Sequence, residues 1–279
     1  MASGVSDLWP RLDYAKDRGT FETLHLMSQV VGKARTACAP WVNHGWQVAL
    51  YVSPRGFTTS AVPHGQDLFD LEFDFLDHAL RCRASNGFAE AIPLAGQTIA
   101  AFYDGVSGLL EQAGLPVRID GRPNEIAGAV PFRSDVAARP YDPDAAFRLW
   151  RALIQIAQVF EAFRTGFLGK ISPVHLFWGS FDLAVTRFSG RRAPLHPGGC
   201  RTFPTPSRAK PIRTRSPAPA SGPAAAWWTI RPSIPTPIRS RTASARAPWN
   251  PRPRSSMRGW ESSSSPTTRC ALRPTRPAP

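Results

Sequence analysis

From Cys200 to the last residue the chain carries fifteen Lys and Arg against a single acid, whereas residues 1–199 hold nineteen of each sign. The formal net charge of +14 therefore belongs wholly to the second part. Beyond Gly199 helical and strand periodicity both vanish, and only Phe203, Ile212, Ile230, Ile234, Ile238 and Leu272 supply Phe or branched aliphatic surface. A segment so poor in apolar surface cannot offset the entropy of ordering, so residues 200–279 are expected to be a disordered Arg, Pro and Ser tail. Folding is left to residues 1–199, and the basic balance says nothing about them.

Two readings of the tail compete. One is an arm that binds nucleic acid through its charge. The other is a change of reading frame. Trp and Met have one codon each, so GC-rich back-translation of "RGWESSSSPTTRCALR", taken one base earlier, permits "GLGEFLLPYDAVR". The same step turns "SGPAAAWWTIRP" into "FWPGGGVVDYP" and "SRAKPIRTRSPAPASG" into "VTREAYSHEVTSAGF". Acids, Tyr and periodic apolar residues return together. A base lost from a G run near Gly199 explains this, and nucleic-acid binding is the weaker expectation.

The first 199 residues read as α+β. Phe21, Leu24, Met27, Val31 and Cys38 fall near helical spacing before Pro40. Trp46, Val48, Leu50 and Val52 alternate as a strand ended by Pro54, Arg55 and Gly56. Phe69, Leu71, Phe73 and Phe75 alternate with Asp70, Glu72 and Asp74, and Asn86-Gly87 marks a hairpin, so an antiparallel meander is expected. Ile99, Phe102, Tyr103, Val106, Leu109 and Leu110 form a helical stripe, and "VRID" after it suits a short strand. Asp142-Pro143 starts a third, broadly apolar helix, expected at the centre. "PVHLFWGSFDLAVTRFSG" reads as two strands joined at Gly179-Ser180. The expected architecture is an antiparallel sheet packed against about three helices.

Cys38, Cys82, Cys200 and Cys270 show neither a C-x-x-C pair nor finger spacing, which argues against disulfides and structural zinc and for a reducing cytoplasm. No apolar run has the length of a signal core or a membrane span, so no membrane partner is expected.

"LWPRLDYAKDRGTFETLHLMSQVVGKAR", "NHGWQVALYVSPRGFTTS", "FDLEFDFLDHAL" and "GKISPVHLFWGSFDLAVTRFSGRRAPLHPGG" resemble the bacterial proteins grouped as domain of unknown function 5996, over residues 8–199. The shifted-frame strings resemble that family's C-terminal part, which this chain would lack. The resemblance implies no activity, cofactor or catalytic residue.

Five histidines lie within those stretches, and imidazole suits proton transfer near neutral pH. His25, Gln29 and Lys33 fall at i, i+4 and i+8 of the first helix, as a functional strip or a solvated face. His175 stands in a strand with Asp182 across the hairpin, as an oriented acid–base pair or as a buried His bonded to backbone. Asn43, His44, Trp46 and Arg55 bracket the first strand as a ligand mouth, or as caps. Arg187, Arg191, Arg192 and Lys170 could hold an anion, with Trp178 nearby in sequence, or form a scattered positive face. Asp70, Glu72 and Asp74 could hold a divalent cation or meet water, and Asp77-His78 suits a tight turn. Cys38 and Cys82 read as core fillers. There is no phosphate-binding loop, dinucleotide fingerprint or nucleophile elbow.

Two functions follow. One is an enzyme with His25, His44, His175 and Asp182 around a pocket between helix and sheet. The other is a non-catalytic domain that binds a small molecule through the same groups. No cofactor or metal is indicated, and the two separate on whether the histidines converge.

Overall fold

In the computed structural model, residues 9–126 and 128–190 are described in full, together with the backbone of 226–230. Three α-helices and nine strands make an α+β fold among these residues. Helix α1, Tyr14–Cys38, opens on Asp13, whose carboxylate accepts from the Lys16 N–H. Six short strands follow: β1 (Tyr51–Val52), β2 (Gly56–Thr58), β3 (Val62–His64), β4 (Asp67–Asp74), β5 (Ala79–Ala84) and β6 (Ala89–Pro93). Helices α2 (Ile99–Gln112) and α3 (Pro143–Thr165) precede β7 (His175–Phe177) and β8 (Asp182–Arg187), and Ala226–Ile230 forms β9.

The first sheet is antiparallel in the order β1-β2-β4-β5-β6, with β3 also on β4. The alternation read in β4 holds on its apolar side: Phe69, Leu71 and Phe73 are buried, with Phe75 just beyond the strand, and face Ala84, Cys82 and Leu80 in register. Gly87, at φ 93, makes the expected hairpin turn between β5 and β6, a conformation in which a Cβ would be strained. The second sheet runs β7-β8-β9. Leu50 and Leu176 exchange two backbone hydrogen bonds of 2.9 and 2.8 Å and tie β7 to the start of β1.

Four expectations need correction. Residues 43–48 form a 3-10 turn rather than strand, because His44 and Gly45 take left-handed backbone angles; only Tyr51–Val52 pairs as β1. Residues 117–120 form no strand. The central helix is α1, not α3: nearly every residue from Thr20 to Arg35 is buried, whereas α3 exposes Phe147 and Val159. The strip on α1 is likewise inside.

The fourth concerns the carboxylates of β4, which are not a solvated face but pair with arginines of the neighbouring strand and turn. Asp74 is fully buried and accepts from Arg55 Nε at 2.5 Å and Arg81 Nε at 2.8 Å. Glu72 accepts from Arg83 at 2.8 Å and from Ser53 Oγ at 2.6 Å, and Asp70 pairs with Arg83. Asp77, at the following turn, joins Arg55 and Arg81. The pattern was legible, but period two fixes only which residues share a face, not what stands opposite.

The tail expectation, the nucleic-acid arm, Arg191, Arg192, Cys200 and Cys270 lie outside the described residues. Within the tail only the backbone of Ala226–Ile230 is described, and it is a strand.

Candidate functional site

His25, Gln29 and Lys33 recur at every fourth position of α1, which stacks them on one face. That face is 5%, 0% and 7% exposed at the three residues. It meets the segment 120–125 and the turn between β7 and β8. Gln29 binds the backbone of Asn124 at two points: Nε2 donates to the carbonyl at 2.8 Å and Oε1 accepts from the N–H at 2.6 Å. This pairing fixes which end of the amide is oxygen. His25 Nε2 lies 2.9 Å from the Gly179 carbonyl oxygen and 3.1 Å from Gln29 Nε2, and the ring tautomer sets which of the two it bonds; the same oxygen lies 3.4 Å from Gln29 Nε2. The imidazole stacks on Phe181, centroids 5.3 Å apart.

Lys33 is the least compensated member. Its Nζ donates to Asn124 Oδ1 at 2.9 Å and reaches Asp120 Oδ2 only at 3.4 Å. Burial pushes the ammonium pKa down, and the charge of Asp120, itself 63% exposed, opposes that shift without cancelling it. The ammonium also lies 5.8 Å from the centre of the Trp178 ring. Trp178 is locked by an indole N–H bond to the Val48 carbonyl at 2.8 Å and by contact with Gly32. A Cβ at Gly32 would sit 2.2 Å from Trp178 Cδ1, so this approach requires glycine. Glu125 and Phe181, at the two covering turns, both hold left-handed φ, near 58° and 55°.

One helical turn beyond Lys33 the same face reaches Ala37, which lines an open cleft of about 340 Å³. Cys38, Pro63, His64, Pro116 and Arg118 complete most of its wall. Arg118 is exposed and has no ion-pair partner among the described residues. His64 Nε2 donates to the Pro116 carbonyl at 3.1 Å. Burial raises the pKa of the Cys38 thiol.

The other sequence-derived candidates are elsewhere. His44 packs on Phe188 and Trp46, with centroids at 4.6 and 5.1 Å, and Lys170 lies against the same two rings. Burial, then the Lys170 charge, lowers its pKa. Asn43 is exposed and accepts from the His44 N–H, which is the capping alternative. Phe181, beside His25, and Phe188, beside His44, flank the two ends of β8 and are seven residues apart, about 20 Å in extended chain. His175 pairs in register with Ala184, and Asp182 with Phe177, so His175 and Asp182 are diagonal neighbours rather than directly opposed. His175 Nδ1 donates to the Pro173 carbonyl at 2.7 Å, the backbone-bonded alternative; Nε2 is buried without a hydrogen-bond partner among the described residues. Asp182 accepts from Ser180 Oγ. Arg55 is engaged by Asp74 and Asp77, and the Arg187 guanidinium lies on Phe163 at 3.5 Å.

The structure therefore brings together His25, Lys33 and Trp178 and gives His44, Asn43, Trp46, Arg55, His175 and Arg187 partners of their own; Asp182 directly follows Phe181, the ring on which His25 stacks. Sequence reasoning missed Gln29 as a buried anchor and missed Asp120, Asn124 and Arg118 altogether. These last three lie in a segment without periodicity, and Asp120 and Asn124 are some ninety positions from their partners on α1, a contact that no local pattern announces. Among the described residues no group of three or more His, Cys, Asp or Glu could hold a metal.

The chain matches the model of a family of unknown function, DUF5996, over residues 9–211. It belongs to that family. The DUF5996 match takes in every element from α1 to β8 and so the whole of this cluster. No curated protein and no solved structure matches the chain.

Proposed function

We propose that this DUF5996 protein is a recognition domain for a small anionic molecule, held in the cleft at the end of the polar row of α1, and that it performs no chemistry on it. The observation that carries this reading is an exposed Arg118, without an ion-pair partner among the described residues, on the wall of a cleft within the size range of small-molecule sites, one helical turn from the buried Lys33 ammonium. A carboxylate or phosphate entering there would meet the Arg118 guanidinium. Gln29 acts as a fixed support for the 120–125 segment, and His25 for the turn between β7 and β8. Catalysis by His25, His44, His175 and Asp182 would need convergent groups, and His25 and His44 contact rings, Phe181 and Phe188, that flank opposite ends of β8. Free Cys38 and Cys82 support work in a reducing compartment, and no described helix is long and apolar enough to cross a membrane.

The test uses Cys38 as a reporter at the cleft, in a Cys200→Ser/Cys270→Ser background. Phosphate and succinate are titrated while the rate of Cys38 alkylation is followed. Saturable protection in the parent, lost in Arg118→Gln and weakened in Lys33→Met, is expected, with the probe recovered unchanged. Equal protection in all three chains, or none in the parent, would sink the proposal.

A further inference from the structure

β8 is built as an interior strand. Asp182, Leu183, Ala184, Val185 and Thr186 are all buried, and a strand without a solvated face needs hydrogen-bonded neighbours on both edges. β7 serves one edge over three residues. Along the other, Leu183 to Arg187 pair with the backbone of Ala226–Ile230. That pairing draws its strand from a segment whose composition carries no strand periodicity.

We propose that the occupant this edge is shaped for is the strand that the same stretch of gene encodes one base earlier, the present tail being the product of a base lost near Gly199. Codon structure supports this without any choice of third bases. Trp is only TGG, and every Thr codon begins AC. Read one base earlier, Trp227-Trp228-Thr229 must become one of Val, Leu or Met, then Val, then Asp. In the observed register the forced valine stands opposite Val185, which belongs to the core, and the forced aspartate opposite Ala184. Ala184 is also the partner of His175 on the other side. The restored strand thus extends the core on one face and, on the other, places a carboxylate in the cross-strand row of His175, about 10 Å away over a small alanine. The present reading offers the same row only Thr229.

Three full-length chains test this: the present one, one with a single G restored before the Cys200 codon, and the restored one with Pro at the forced valine. Amide hydrogen exchange of 182–187 should slow by at least about tenfold in the restored chain and return to the present chain's rate with the proline, as expected when edge hydrogen bonds are gained and lost. Resequencing the genomic DNA should recover the missing base. Exchange in the present chain as slow as in the restored one, a restored chain that does not fold, or a genomic frame that runs uninterrupted through the present tail would each overturn the proposal.

Discussion

At the scale of single residues, the groups that decide behaviour are those whose charge is buried. Burial by itself would raise the Asp74 pKa, but hydrogen bonds from Arg55 and Arg81 and from the N–H groups of Asp77 and Leu76 outweigh it and hold the value at about 2. A carboxylate depressed in the folded state stabilises fully above its unfolded value near 4, and that contribution disappears as pH falls through about 2. Asp74→Asn should therefore lower stability in urea at pH 7 by about 2 kcal/mol, and the gap between variant and parent should close at pH 2. His44 and His175 shift in the same direction for a different reason, since burial favours their neutral form. Burial lowers both pKa values, with Lys170 adding to the effect at His44 and the Pro173 bond opposing it at His175. The unfolded chain then binds the proton first, so their stability is complete above about pH 6.5 and declines below it. Replacing both, His44→Phe and His175→Phe, should flatten the parent's loss of melting temperature between pH 7 and pH 5.

At the scale of elements, α1 organises the molecule because both of its faces are used. Its apolar residues, Phe21, Leu24, Met27, Val30 and Val31, enter the core, and its polar row takes up the 120–125 segment. The close approach of Trp178 to Gly32 sets the distance between α1 and the β7–β8 turn. Gly32→Ala should destabilise by about 1–3 kcal/mol in chemical denaturation, the usual range for overpacking, and should shift Trp fluorescence by displacing the indole from the Val48 carbonyl. Helix α3 starts where the sequence placed it, with Asp142 accepting from the Asp144 N–H at 2.9 Å and Pro143 at its first position. Asp142→Ala should lower the melting temperature by an amount equivalent to about 1 kcal/mol, the ordinary value of such a cap.

At the scale of the whole molecule, the two sheets are joined by the paired backbone groups of Leu50 and Leu176, and the core runs on through both, from Phe69 to Val185. One core implies one cooperative transition for the described region. Leu176→Pro, which removes the N–H that donates to the Leu50 carbonyl, should abolish the sharp thermal transition in circular dichroism. A variant that instead melted in two separated steps would show the sheets to be independent.

The sequence by itself determined the α+β class, the antiparallel meander with its Asn86-Gly87 turn, and the capped start of α3. These depend on composition, on the period of apolar residues and on local turn chemistry, all of which act within a few residues. Only the tertiary structure decided that α1 rather than α3 is central, that Asp74 and Glu72 answer arginines, and that His25 and Lys33 meet Gly179, Asn124 and Asp120. It also placed His25 beside Phe181 and His44 beside Phe188, the rings that flank the two ends of β8. Each of these is a pairing across dozens of positions, and a period can orient a side chain but cannot name what comes to face it.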